Sequence, residues 1–131
     1  MDTDTHAVHA DDDLYTVVQM LIQKTVTGAP VVDDAGKVVG MITEAECLGL
    51  LSHGSDGSVA RGKVADFMTD QAITVRPDMD IYYVAGLFNA NPTRRRFAVT
   101  GDDEQLVAVV TRKDILKLVH RELMRSPSMR P

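Results

Sequence analysis

The chain contains the same unit twice, and no other feature constrains its fold as much. Residues Met1 to Leu21 align with Met68 to Phe88 at an offset of 67, and Gly28 to Leu51 align with Arg96 to Val119 at 68. An inserted residue between Leu21 and Phe97 accounts for the step. Matching positions include Val8 with Val75, Asp11 with Asp78, Asp13 with Asp80, Tyr15 with Tyr82, Val17 with Val84, Thr43 with Thr111 and Leu50 with Leu118. Met1 aligns inside the unit, which leaves room for sequence upstream of it. A repeated supersecondary unit buries its apolar face against its neighbour. Two facing copies also create a cleft, and ligands favour such places.

At 131 residues the chain has the length of one domain, here two halves of roughly 60 residues, each marginal alone. Hydrophobic residues make up 44%, usual for a soluble globular protein. No apolar run approaches the ~20 residues that span a bilayer. The acidic start, Met1-Asp-Thr-Asp-Thr5, lacks the basic and apolar regions of a signal peptide. A lone Cys47 excludes an intrachain disulfide and suits a reducing compartment, so a cytoplasmic location is expected. The net charge of -5 disfavours adhesion to nucleic acid or to an anionic membrane.

Each copy reads as strand, helix, strand, strand, helix. A short apolar stretch ends in Val8 or Val75 and is followed by acids that suit helix capping. In the second copy Asp78 is the expected N-cap. Leu14, Val17, Val18, Leu21 and Ile22 then form one apolar helical stripe, which Ile81, Val84, Ala85 and Phe88 repeat. Two strands around the turn Asp34-Ala-Gly36 follow, and each second strand ends in Thr and passes directly into a helix. These helices are predicted over Glu44 to Leu51 and Arg112 to Leu123. Ser52-His-Gly-Ser-Asp-Gly-Ser-Val-Ala-Arg-Gly62 is rich in Gly and Ser and reads as a flexible linker. The expected organisation is a first repeat over 1–52, a linker over 53–63, a second repeat over 64–125 and a disordered tail over 126–131.

This β-α-β-β-α unit in tandem carries Gly28-Ala-Pro-Val-Val-Asp33 and Gly40-Met-Ile-Thr43 in one copy. The other carries Arg96-Phe-Ala-Val-Thr100 and Val109-Val-Thr-Arg-Lys-Asp114. It resembles the cystathionine β-synthase (CBS) domain pair, or Bateman module, over about Met1 to Leu123. The resemblance implies an α+β fold of two pseudo-symmetric repeats packed through their sheets, and dimerisation into a disc. It implies an adenosine-containing regulatory ligand of the AMP, ADP or ATP class in the cleft between repeats. It also implies an effector protein or domain that responds to occupancy.

The residues suit such a ligand. Asp114 lies at a strand-to-helix junction three residues past Thr111, where a carboxylate can accept from both ribose hydroxyls. The Thr111 hydroxyl and the free N–H groups of the helix start can take phosphate oxygens. Arg112 and Lys113 share that turn, and Arg94-Arg95-Arg96 enters the neighbouring strand. Cations in an acidic protein favour a phosphate over cationic S-adenosylmethionine. By resemblance, the adenine wall of the Asp114 pocket comes from His6 and from Val26, Thr27, Gly28 and Ala29, and Arg95 points at phosphate. The resemblance also implies a second, weaker pocket with Thr43, Glu46 in place of the usual Asp, Ile73, Arg94 and Arg96.

Blander readings stand beside these. Asp114 also suits a first helical turn as a simple partner of the helix dipole, and the arginine triplet also reads as a solvated strand entrance. Capping explains Asp11-Asp12-Asp13 better than metal binding does. His6 and His9 lack a zinc spacing, and Cys47 reads as core. No nucleophile–base pair and no Gly-rich phosphate loop is readable, so no enzyme, cofactor requirement or metal is expected. The alternative to a sensor is a ligand-free module for dimerisation or partner docking.

Overall fold

The computed structural model describes residues 1–53 and 62–125, without the side chains of residues 50–53. Most of the expected linker and all of the expected tail lie outside the described residues. The first copy comprises β1 (Val8–His9), α1 (Leu14–Lys24), β2 (Gly28–Val32), β3 (Val38–Thr43) and α2 (Glu44–His53). A short helix that the sequence reading did not anticipate, α3 (Val64–Phe67), comes next. The second copy then repeats the order with β4 (Thr74–Val75), α4 (Ile81–Ala90), β5 (Arg96–Thr100), β6 (Leu106–Thr111) and α5 (Arg112–Met124). The fold is the expected mixed α and β pair of β-α-β-β-α units.

Each copy forms a three-stranded sheet, β1-β2-β3 or β4-β5-β6, with the short strand parallel to the middle one and the hairpin antiparallel. Both hairpins carry an irregularity at the corresponding place, between Val31 and Val32 and between Val99 and Thr100. Pro30 sits in the middle strand, where a missing N–H is normally a defect. Its partner Met41 exchanges both backbone hydrogen bonds with Thr69, at 2.9 and 3.0 Å, so the Met41 groups point away from β2. The N–H that Pro30 lacks therefore belongs on the β1 side, and β1 pairs only with Val31 and Val32.

Alternation along the strands separates two buried faces. Ala29, Val31 and Ile42 pack with Leu14, Val17 and Leu21 of α1. Phe97, Val99, Ala108 and Val110 pack with Val84 and Phe88 of α4. The opposite faces carry Pro30 with Met41 and Ala98 with Val109, and these too are buried. Each sheet is thus covered by helices on one side and by the other half of the molecule on the second. Two reciprocal exchanges tie the halves together, with Thr69 pairing to Met41 of the first copy and Asp2 to Val109 of the second. In the same sense α3 follows the linker in sequence, yet Val64, Phe67 and Met68 pack into the first core.

Two expectations are corrected. The helix of the second copy starts at Ile81 and its N-cap is Asp80, which accepts from the Tyr82 N–H, and Asp13 does the same for Tyr15. Asp78 lies ahead of the helix, 3.9 Å from Arg76. Ile22 ends the apolar stripe of α1 but is 73% exposed, because the first core fully buries Leu14, Val17 and Leu21 of that helix, takes in Val18 and Met20 in part, and stops short of Ile22.

Candidate functional site

The first strand-to-helix junction is built by close backbone approach. Gly28 opposes Thr43 in the hairpin, and a Cβ at Gly28 would lie 2.9 Å from the Ile42 carbonyl oxygen, so only glycine fits without a shift. The Thr27 carbonyl accepts from the Glu44 N–H at 3.0 Å, which closes the turn into α2. Glu46 reaches back and accepts from the Thr43 N–H at 3.0 Å, and the Thr43 hydroxyl bonds the same oxygen. This is the backward half of a capping box, which satisfies a donor left over at the helix start.

Facing this junction across a cleft of about 310 Å³ is the entrance to β5, with Thr93, Arg94, Arg95 and Arg96. Met41 and Leu48 supply its apolar surface. The volume lies within the range of small-ligand pockets. Three arginines on one wall outnumber the single acid of the lining, Glu44, and give the cleft a positive balance.

Arg112 holds that wall. Its Nη2 donates to the carbonyls of Phe88, Asn91 and Arg94 at 3.3, 3.0 and 3.0 Å, and its Nε donates to Arg94 at 3.1 Å. Its guanidinium also lies 5.4 Å from the centroid of the Phe88 ring, a cation–π contact. The sequence reading gave Arg112 to phosphate, whereas in the structure its donors bind the end of α4 to the start of β5.

The second junction mirrors the first. Arg96 opposes Thr111, and Asp114 accepts from the Thr111 N–H at 2.9 Å while the Thr111 hydroxyl accepts from the Asp114 N–H at 3.2 Å, a complete capping box. Lys113 is exposed. Arg96 is half-buried, and its Nε is sealed from solvent without a hydrogen-bond partner among the described residues. Burial pulls its guanidinium below the ordinary pKa, and the charges of Asp2 and Asp114 oppose that shift.

The structure thus brings Thr27, Gly28 and Thr43 together with Arg94, Arg95 and Arg96. Ala29 is fully buried in the first core. Val26 lines a different, apolar cavity of about 470 Å³ between α1 and α2, which includes Ile22, Cys47 and Leu48. His6 has a left-handed backbone, φ 52°, with Nδ1 3.3 Å from Asp4. Ile73 packs against the second core. Cys47 is buried in the first core, and burial, then the charges of Glu46 and Glu44, push its thiol up, away from the reactive thiolate. Met41, Leu48, Thr93 and Asp2 escaped the sequence reading. Strand alternation marks Met41, and the repeat offset links Asp2 to Thr69. Among the described residues no cluster of His, Cys, Asp and Glu is placed to hold a metal, and no helix is long and apolar enough to cross a membrane.

A model of the CBS domain family matches residues 1–53 and 64–121, once for each copy. This chain belongs to the CBS domain family. It is 27% identical, over 84% of its length, to the uncharacterised protein MJ1426 of Methanocaldococcus jannaschii, of which it covers 83%. It is also 27% identical to an inosine-5'-monophosphate dehydrogenase of that organism, but spans only 21% of that enzyme. Among solved structures, CBSX2 of Arabidopsis thaliana in complex with AMP is similar with a TM-score of 0.76 and 25% identity, covering 91% of this chain and 90% of that one. The CBS domain pair of MJ0100, in complex with 5'-methylthioadenosine and S-adenosyl-L-methionine, is similar with a TM-score of 0.72 and 25% identity, covering 86% and 89%.

Proposed function

We propose that this CBS pair is a regulatory sensor that binds an adenine nucleotide of the AMP, ADP or ATP class between its repeats. The observation that carries this is the cleft where Thr27, Gly28 and Thr43 face Arg94, Arg95 and Arg96. In a chain of net charge -5, three arginines on one wall attract an anion. The relatives bound to AMP and to methylthioadenosine share adenosine as the common part of their ligands. Phosphate on that adenosine suits the arginine wall better than the sulfonium of S-adenosylmethionine. Ribose and base would lie against Thr43, Met41 and Leu48, and phosphate toward Arg94 and Arg95. The pseudo-symmetric counterpart comprises Thr111, Asp114 and Lys113 with His6. No bond is made or broken in this role, and binding changes what a cytoplasmic partner or a linked domain meets.

Titration calorimetry with AMP, ADP and ATP tests the reading. Binding of at least one nucleotide is expected, with affinity falling as salt rises and falling about tenfold in Arg95→Ala, or about 1.4 kcal/mol. No heat at millimolar nucleotide would overturn it. Occupancy at ~100 times Kd also adds about 2.7 kcal/mol of stability, which a thermal shift reads independently.

A second reading, a ligand-free homodimerisation or docking module, has its own observation. Ile22, Leu48, Tyr82, Tyr83 and Leu116 are large, exposed apolar side chains on α1, α2, α4 and α5. A flat thermal shift across all nucleotides with a stable dimer in sedimentation would favour it.

A further inference from the structure

We propose that the cavity between α1 and α2 is a second ligand site, which takes a small organic cation with an apolar body. It is separate from the nucleotide reading and holds whether or not the arginine-walled cleft takes a nucleotide.

The repeat supplies its own comparison. In the second copy the Arg112 side chain spans from the start of α5 to the end of α4. There it donates to the carbonyls of Phe88, Asn91 and Arg94 and lies 5.4 Å from the centroid of the Phe88 ring. The counterparts of Phe88, Arg94 and Arg112 are Leu21, Val26 and Glu44, and all three line the cavity. Glutamate is shorter than arginine and its carboxylate only accepts hydrogen bonds, so Glu44 cannot bind carbonyls as Arg112 does. The end of α1 closes without it. Thr25 takes the left-handed conformation, and the Val26 N–H donates to the Leu21 carbonyl at 3.1 Å. The first copy thus has a cavity of about 470 Å³ where the second holds a guanidinium, a volume suited to a small ligand.

The lining sets the chemistry of what fits. Tyr15, Val18, Ile22 and Leu48 supply apolar surface. Ile22 and Leu48 are exposed, so an apolar body seated here removes that surface from water. Glu44 is the one charged residue of the lining, and among the described residues it makes no ion pair. Thr27, Glu44 and Leu48 form a wall shared with the nucleotide cleft. Arginines stand on the cleft side of that wall and none on the other. An anion is therefore drawn to the cleft, and the charge that suits the cavity is a cation.

Phenethylguanidinium tests the site, with phenylpropionate and phenethyl alcohol as anionic and neutral probes of similar size. In an NMR titration of nucleotide-free protein, the guanidinium is expected to bind best of the three. The largest shifts should fall on amides of α1, of Thr25 to Thr27 and of the first turn of α2. Glu44→Gln should weaken the guanidinium by up to about fivefold, the range of an exposed ion pair, and leave phenethyl alcohol unchanged. Glu44→Arg, which copies the second repeat, should supply the cavity with its own guanidinium and abolish the shifts. Leu48→Ser should weaken all three probes. Glu44 and Leu48 are exposed, and circular dichroism checks that each variant is folded. Equal affinity for the three probes would overturn the proposal, as would undiminished binding in folded Glu44→Arg. Shifts confined to Thr93 to Arg96 would also overturn it, since the probe would then sit in the nucleotide cleft. Absence of shifts for every probe would do the same, and a stable dimer in sedimentation would then assign this face to a second copy. Nucleotide calorimetry reads the other site and does not alter these outcomes.

Discussion

In the first copy Gly28 opposes Thr43 and Glu46 returns to the Thr43 N–H. In the second, Arg96 opposes Thr111 and Asp114 returns to the Thr111 N–H. Strand pairing and the bond from the threonine N–H to the acid agree at the two junctions, and the side chains around them do not. Duplication therefore preserves what the backbone needs, the threonine and the acid that begin the helix. The positions free to diverge are those that fill space. The cores diverge in the same way. Ala29 corresponds to Phe97 and Leu21 to Phe88, so only the second copy contains the stacked pair, with ring centroids 4.0 Å apart. The first copy instead takes in Val64, Phe67 and Met68 from beyond the linker.

The largest expected effect probes that core difference. Phe97 is 1% exposed, and Phe97→Ala should destabilise the protein by about 3–5 kcal/mol in urea unfolding, from lost transfer free energy plus a cavity. A loss under about 1 kcal/mol would mean that the second core is not organised around the aromatic pair. Next is Arg112, whose counterpart is the exposed Glu44. Arg112→Ala removes four hydrogen bonds to the Phe88, Asn91 and Arg94 carbonyls, of which Phe88 and Asn91 keep a backbone donor, and should cost about 2 kcal/mol. Arg112→Lys should recover little, because an ammonium cannot reproduce the planar fork. Glu44→Ala should stay within about 0.5 kcal/mol. Equal losses at the two positions would break the contrast between a clamped wall and an open one.

A smaller effect sharpens the similarity instead. Asp13 and Asp80 cap equivalent helices, so Asp13→Ala and Asp80→Ala should each cost about 1 kcal/mol by thermal unfolding. Asp78→Ala should cost less than about 0.5 kcal/mol, as an exposed ion pair at 3.9 Å contributes little. A larger loss at Asp78 than at Asp80 would restore the cap position read from sequence.

Element order, the two hairpins and the strand-to-helix junctions were legible because the repeat supplies each of them twice. The cap was not, because Asp78 and Asp80 are both acids ahead of the same apolar stripe and only the first hydrogen-bonded turn decides between them. Ile22 fits the helical period as well as Leu21 does, and what separates them is how far the core reaches across α1. The exchange of Asp2 and Thr69 between copies is non-local pairing that no local propensity encodes. Arg112 looked like a phosphate ligand because a cation in a first turn has that chemistry. In the fold its donors meet carbonyls at the end of α4 and ahead of β5.

The smallest expected effect concerns the remaining mismatch between the cores, Cys47 against Ile115, both buried. Burial holds the Cys47 proton more tightly in the fold than in the unfolded chain, and the charges of Glu46 and Glu44 act in the same direction. A group whose folded pKa is raised contributes stability below its unfolded pKa. That contribution fades as pH rises through the ordinary thiol range, about pH 8.5, toward the folded value. Lysines and tyrosines titrate nearby, so the observable is the stability difference between wild type and Cys47→Val, which makes the first core aliphatic like the second. Above about pH 8.5 wild type should lose stability relative to the variant, by less than about 1 kcal/mol since the thiol is one group among many. Alkylation of folded Cys47 should also be slower than that of the urea-unfolded chain. A wild type that gains on the variant with rising pH would mean that the fold stabilises the thiolate, and the first core would then differ from the second in charge as well as in shape.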